Sequence, residues 1–183
     1  MNRYFILLIF ITTFIFFQIS GEENSEHLIL FSSGYSLLHN YDNGNHSGMN
    51  FKLGFEPELT ESVHVDVSIS LNIFWKEDSS YPLFRSNYSM CHVPSISLGP
   101  RYSFSFKKIK PFIGGGINMS VAINHDSSKN ETSASFGPGI YAKTGVDYKL
   151  SRKFFIGIES DYKWCFTVVP HIVSFNLRFG YIY

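Results

Sequence analysis

Cysteine is scarce: Cys91 and Cys165 are the only two in 183 residues, too few for the disulfide framework that a small exported domain uses in place of a core. Charge is scarce as well, since only 16% of residues are Asp, Glu, Lys or Arg, and fifteen cations balance fifteen anions. A neutral chain with its charges scattered singly lacks the electrostatic footprint that phosphate backbones need, so nucleic acid is not an expected partner. No apolar run reaches the roughly 20 residues of a membrane-spanning helix. After residue 26 no window repeats apolar residues at three and four. What remains plentiful is aromatic, with 19 Phe and 11 Tyr, which excludes a disordered chain. A mean hydropathy of zero suits a soluble domain, and equally a transmembrane β-barrel whose alternate residues face lipid and lumen.

The chain starts with one cation, Arg3, and an apolar run from Tyr4 to Phe17 broken only by Thr12 and Thr13. At about 14 residues this has the length of a signal peptide's apolar region. Residues 1–20 are expected to be a cleaved signal peptide and 21–183 the functional domain, with Ser20 or Gly21 at the cut and a retained signal anchor as the alternative. Export leaves Cys91 and Cys165 either bridged to each other or free.

The remaining chain alternates with period two, the mark of a strand with one apolar face. In Val63, Val65, Val67, Ile69, Leu71 and Ile73 every odd position is aliphatic, while His64, Asp66, Ser68, Ser70 and Asn72 between them are polar. The same test gives eight segments, at 27–38, 49–57, 63–75, 92–106, 111–124, 135–149, 154–166 and 173–183. Links at 58–61, 107–110 and 151–152 are tight; those at 39–48 and 77–91 are long, and 125–132 is intermediate. Eight strands with tight turns at one rim and larger loops at the other predict an all-β fold: a closed, antiparallel, up-and-down eight-stranded barrel.

The polar face decides which side is out. A water-exposed face would carry many Lys, Glu and Thr, yet here Ser, Gly and Asn dominate, the small residues that a narrow eight-stranded lumen holds. The apolar set therefore faces lipid and the barrel is transmembrane. The lumenal set also carries Lys52, Arg101, Lys143, Lys149, Lys163 and Arg178 with Glu56, Asp66, Asp147, Glu159, Asp161 and His64. Buried charges persist only when paired, so an ionic plug is expected, although Glu56 and Lys149 stand near strand ends from which they could reach water. Trp75, Tyr102, Phe104, Phe106, Tyr148, Phe154, Trp164, Phe166, Tyr181 and Tyr183 fall near strand ends, as two interfacial girdles would place them.

Gly99-Pro100-Arg101-Tyr102 with Lys110-Pro111-Phe112-Ile113-Gly114-Gly115-Gly116 resembles the strand-turn-strand of small bacterial outer-membrane β-barrels of the OmpA transmembrane-domain and OmpW-like type. Gly145-Val146-Asp147-Tyr148-Lys149-Leu150 leading into Phe155-Ile156-Gly157-Ile158-Glu159 resembles their penultimate hairpin. The ending is similar to their carboxy-terminal assembly signal, through Phe175, Leu177, Phe179, Tyr181 and the terminal Tyr183. The resemblance implies the outer membrane of a Gram-negative-type bacterium, with lipids, lipopolysaccharide and the outer-membrane assembly machinery as partners. No peptidoglycan-binding domain follows the barrel, so that anchoring role is not expected.

Chemistry is thinly supported. His125, Asp126, Ser127, Ser128 and Glu131 combine the residue types of acyl transfer, but in a polar link that fixes no geometry and without the lipid-A deacylases' sequence context. His39, His46, His92, His125 and His171 gather toward the long-loop rim without the i, i+2 or i, i+4 spacing of a ligand set. No catalytic residue, metal or cofactor is expected. The expected role is structural and surface-binding through the longer loops, where Tyr41, Tyr81, Phe84, Arg85 and Tyr88 would meet an external ligand or a host surface. A narrow pore or conduit for small or apolar molecules is the alternative, with a lipid-modifying enzyme or a soluble binding barrel third.

Overall fold

The computed structural model describes residues 27–40, 44–76, 89–126, 131–166 and 171–183. The signal segment and the loop residues Tyr41, Tyr81, Phe84, Arg85 and Tyr88 lie outside this set. Period-two alternation becomes nine strands: β1 Leu28–Asn40, β2 Gly44–Glu56, β3 Glu58–Thr60, β4 Val63–Lys76, β5 Ser89–Ser103, β6 Ile109–Asp126, β7 Glu131–Lys149, β8 Phe154–Cys165 and β9 His171–Ile182. They form one antiparallel sheet in the order β2-β1-β9-β8-β7-β6-β5-β4-β3, and pairing of β2 with β4 closes it. Eight strands make the wall, because β3 is a three-residue piece on β4.

The radial order is the expected one. Along β9 every second residue from Ile172 to Ile182 is buried, and Phe175, Leu177 and Phe179 between them are exposed. Buried Ser32, Ser36, Asn50, Ser68, Asn72, Ser95, Asn118, Ser120 and Ser174 line the axis, while Leu53, Ile69, Ile96, Ile117, Ile140 and Ile158 stand outside. No helix among the described residues is long and apolar enough to cross a membrane; this chain crosses with strands, whose backbone groups the closed ladder satisfies.

Three expectations are corrected. Residues 39–48 are mostly strand, because the β1–β2 ladder runs on through Leu37↔Ser47 to Asn40↔Gly44. Likewise β6 and β7 pair out to Asp126↔Glu131. Backbone bonds hold these rungs beyond the apolar belt, where side-chain alternation is no longer required. Finally, the strand middles are not free of rings: Phe51 and Phe175, with Tyr35 opposite Phe175, occupy mid-strand outward positions, where a ring offers lipid as much apolar area as an aliphatic side chain.

The β5–β6 turn has a two-residue tip, Lys107–Lys108, with Phe106 and Ile109 exchanging both backbone bonds at 3.0 and 2.9 Å. Lys107 has φ 55°, at a position that such hairpins give to glycine. A side chain there costs roughly 1–2 kcal/mol.

Two lumenal rings lie across glycines. Phe155 faces Gly180 and Phe112 faces Gly145. A Cβ on Gly180 would come within 2.0 Å of the Phe155 ring. Gly180→Ala must therefore push Phe155 out of place, an overpacking expected to lower stability by about 1–3 kcal/mol, read from urea unfolding of the reconstituted barrel; an unshifted midpoint would refute the contact.

Candidate functional site

The interior is layered. At the short-turn end, Leu28, Leu30, Phe155 and Ile182 form one apolar cluster; at the long-loop end, Leu38, Phe74, Val93, Ala122 and Ile172 form another, with Cys91 packed against it. Polar and ionic side chains fill the length between. Neither cluster shows in the alternation of the strands, which places only polar side chains on the axis.

The ionic layer unites charges from six strands around Glu56, which is fully buried and does not reach water. Its Oε2 accepts from Arg101 Nη1 at 2.6 Å and its Oε1 from Lys143 Nζ at 2.6 Å, while Arg178 Nη2 stands 3.5 Å from Oε2. Arg101 also donates to Asp147 Oδ2 at 2.6 Å, and Arg178 Nε lies 3.2 Å from Asp147 Oδ1. Lys143 reaches Asp66 at 3.0 Å, where Tyr141 donates its hydroxyl at 2.7 Å. Glu159 accepts from Arg178 and Lys52, and Lys52 continues to Asp161 at 3.2 Å. Two guanidiniums lie over the Phe112 ring, with the Arg101 and Arg178 carbons 4.1 and 4.4 Å from its centroid.

Lys52, Arg101, Lys143, Lys163 and Arg178 are buried against Glu56, Asp66, Asp147, Glu159 and Asp161, five charges of each sign. Lys163 sits apart, donating to Ser70 Oγ. Buried His64 is paired across the ladder with Arg101 and lines a cavity of about 20 Å³ with Arg101, Ser103 and Asp147, about the size of one water. Lys149 is only partly buried, on the rim. Tyr141 and Phe112 belong to this layer and were missed as members; Tyr141 was visible as the one aromatic within the polar register of its strand.

Above the ions lies a neutral layer. Asn72 Oδ1 accepts from Ser36 at 2.9 Å and from Asn50 at 2.8 Å, and Ser36 meets Ser174 at 3.0 Å. Asn118 donates to Ser120 and Ser120 to Ser95 at 2.9 and 3.1 Å. Cys165 joins this group through Ser120, and both cysteines are free, on strands that are not neighbours.

At the long-loop rim, register brings together residues that linear spacing keeps apart. His39 lies opposite His171, with centroids 6.1 Å apart, and His171 Nδ1 meets the Tyr162 hydroxyl. His125 Nδ1 is 3.2 Å from Thr132 Oγ1, while Ser127 and Ser128 lie outside the described residues. No group of three or more His, Cys, Asp or Glu among the described residues could hold a metal ion. Phe175, Leu177, Phe179, Tyr181 and Tyr183 all lie on the outer side of the last strand, at the seam with β1.

No family model matches the chain, and no curated protein does. Solved structures do. Neisserial surface protein A aligns with a TM-score of 0.65 at 16% identity, over 87% of this chain and 98% of that one. The attachment invasion locus protein of Yersinia pestis, solved with the heparin analogue sucrose octasulfate, gives 0.57 at 16% identity, over 87% of this chain and 100% of its own. The outer membrane protein OprG of Pseudomonas aeruginosa gives 0.58 at 11% identity, over 87% of this chain and 97% of its own. An apolar coat, a filled polar axis and this shared architecture make the chain an integral eight-stranded barrel of the outer-membrane kind.

Proposed function

We propose that this protein is a non-enzymatic surface-binding barrel of the OmpA transmembrane-domain or OmpW-like type, presenting its longer loops to an external ligand or host surface. The observation that carries the reading is the interior: two apolar clusters cap a charge-balanced layer in which all the buried charges but Lys163 hold one another. Such an axis is spent on structure, which leaves the long link between β4 and β5, with the shorter one between β1 and β2 beside it, as the surface for recognition. Lipopolysaccharide and outer-leaflet lipids are its surroundings, and the outer face of β9 is what the assembly machinery would read. One protein of this fold was solved with a polyanion. Here the long-loop stretches hold Asp42, Glu77, Asp78, Asp126 and Glu131 against Lys76, Arg85 and Lys129. That balance favours a neutral or cationic partner.

Two measurements test this. In planar bilayers the purified protein is expected to give no unitary conductance; clear channel steps would favour the conduit reading instead. Replacing residues 77–88 by a two-residue turn is expected to abolish retention of cells on host extracellular-matrix surfaces without changing heat-modifiable gel mobility. Unchanged retention would remove the loop from the proposal.

A further inference from the structure

The short-turn rim carries a feature that loop binding does not use. Of fifteen cations in the chain, Lys107, Lys108, Lys110, Lys149, Arg152 and Lys153 gather at two of its turns, and residues 104–110 and 148–154 contain no carboxylate. These turns adjoin, since Lys149 N donates to Lys108 O at 2.8 Å and Leu150 N to Phe154 O at 2.9 Å closes the next. Lys107, Lys108, Arg152 and Lys153 are exposed, and none forms a salt bridge with another described residue. Lys153 lies 6.0 Å from the Tyr181 ring instead. Around them, apolar side chains crown the turns: Phe106 is 63% exposed and Leu150 60%, next to Phe154. In water this arrangement is unfavourable twice over, with rings wet and like charges adjacent.

We infer that this arc binds the anionic phospholipid headgroups of the periplasmic leaflet. Short turns of such barrels face the periplasm. Rings and aliphatic tips would enter the acyl boundary while the flexible cationic side chains reach the phosphates, the division of labour that amphipathic side chains favour at an interface. Lys107 extends the arc to the tip of its turn, where a left-handed backbone that would suit glycine carries a cationic side chain instead. The long-loop stretches, with five anions and three cations, lack this character.

The test is made on the whole folded barrel, extracted from vesicles of equimolar phosphatidylcholine and phosphatidylglycerol, with retained lipids counted by native mass spectrometry. Wild type is expected to prefer phosphatidylglycerol by about fivefold or more, the order that even one cation near a charged surface provides. K107Q/K108Q/R152Q/K153Q is expected to fall to near parity. If that variant does not fold, K107G/K108N carries the test: it restores favoured turn residues, so its urea midpoint should hold or rise while the preference drops severalfold. No preference in wild type, or an undiminished one in the variants, overturns the assignment. A preference that emerges only when Glu22, Glu23 and Glu26 are changed to glutamine overturns it too, by giving the cations to that acidic segment.

Discussion

Glu56→Gln is expected to be among the most damaging single changes in the molecule. Both carboxylate oxygens of Glu56 are engaged, Oε1 by Lys143 and Oε2 by Arg101, with Arg178 behind. Glutamine keeps the shape but removes the charge and turns an NH₂ toward cations that cannot accept. The buried set then holds five cations against four anions, starting from five and five. Breaking a buried ion pair from one side costs about 3–5 kcal/mol, and here three cations share the loss. Urea unfolding of the reconstituted protein, followed by heat-modifiable mobility, should show it. The double variant K143M/E56Q is expected to lose less than the sum of the single changes, because it withdraws one of the stranded charges together with its acceptor. Additive losses would mean that the two side chains do not interact.

The second large effect belongs to the outer face. Ile69 is 61% exposed at mid-strand, between Leu53 and Ile96 on its neighbours. In a water-soluble barrel, arginine at so exposed a site would be harmless. In a bilayer, Ile69→Arg is expected to lose about 2–4 kcal/mol, because the charge sits near the midplane. Folding yield and urea midpoint in phosphatidylcholine vesicles measure this directly, with Ile69→Ala as the mild control. Wild-type stability for the arginine variant would mean that lipid does not touch this side of the sheet.

How much of this was legible in the linear chain differs by level. Alternation at Val63–Lys76 gave strand and facing at once, since polar and aliphatic residues never share a parity there. The scarcity of long charged side chains on the polar parity gave the radial order, and the inward charges were all identified. Their partners were not, because Glu56, Arg101, Lys143 and Arg178 come from four strands and meet only through the relative stagger of the wall. The apolar caps were hidden for a related reason. In β1 both parities are apolar at the ends, as Leu28 with Ile29 and Leu37 with Leu38 show, so alternation fades where the lumen is closed. His39 and His171 stand at opposite ends of the sequence and became neighbours only through the β1–β9 pairing. The loops expected at 39–48 and 125–132 shrank because their composition reports distance from lipid, not the end of backbone pairing.

The β1–β9 seam also constrains how the protein comes into being. Leu28 is paired with Ile182, so the first strand waits for the last. Until that stave arrives, both margins of the sheet present unsatisfied amide and carbonyl groups able to recruit another chain. Closure of so distant a contact is slow, and most of the synthesis and transit of the polypeptide must therefore pass in a state that needs an escort, with a circular wall appearing only as the final residues dock.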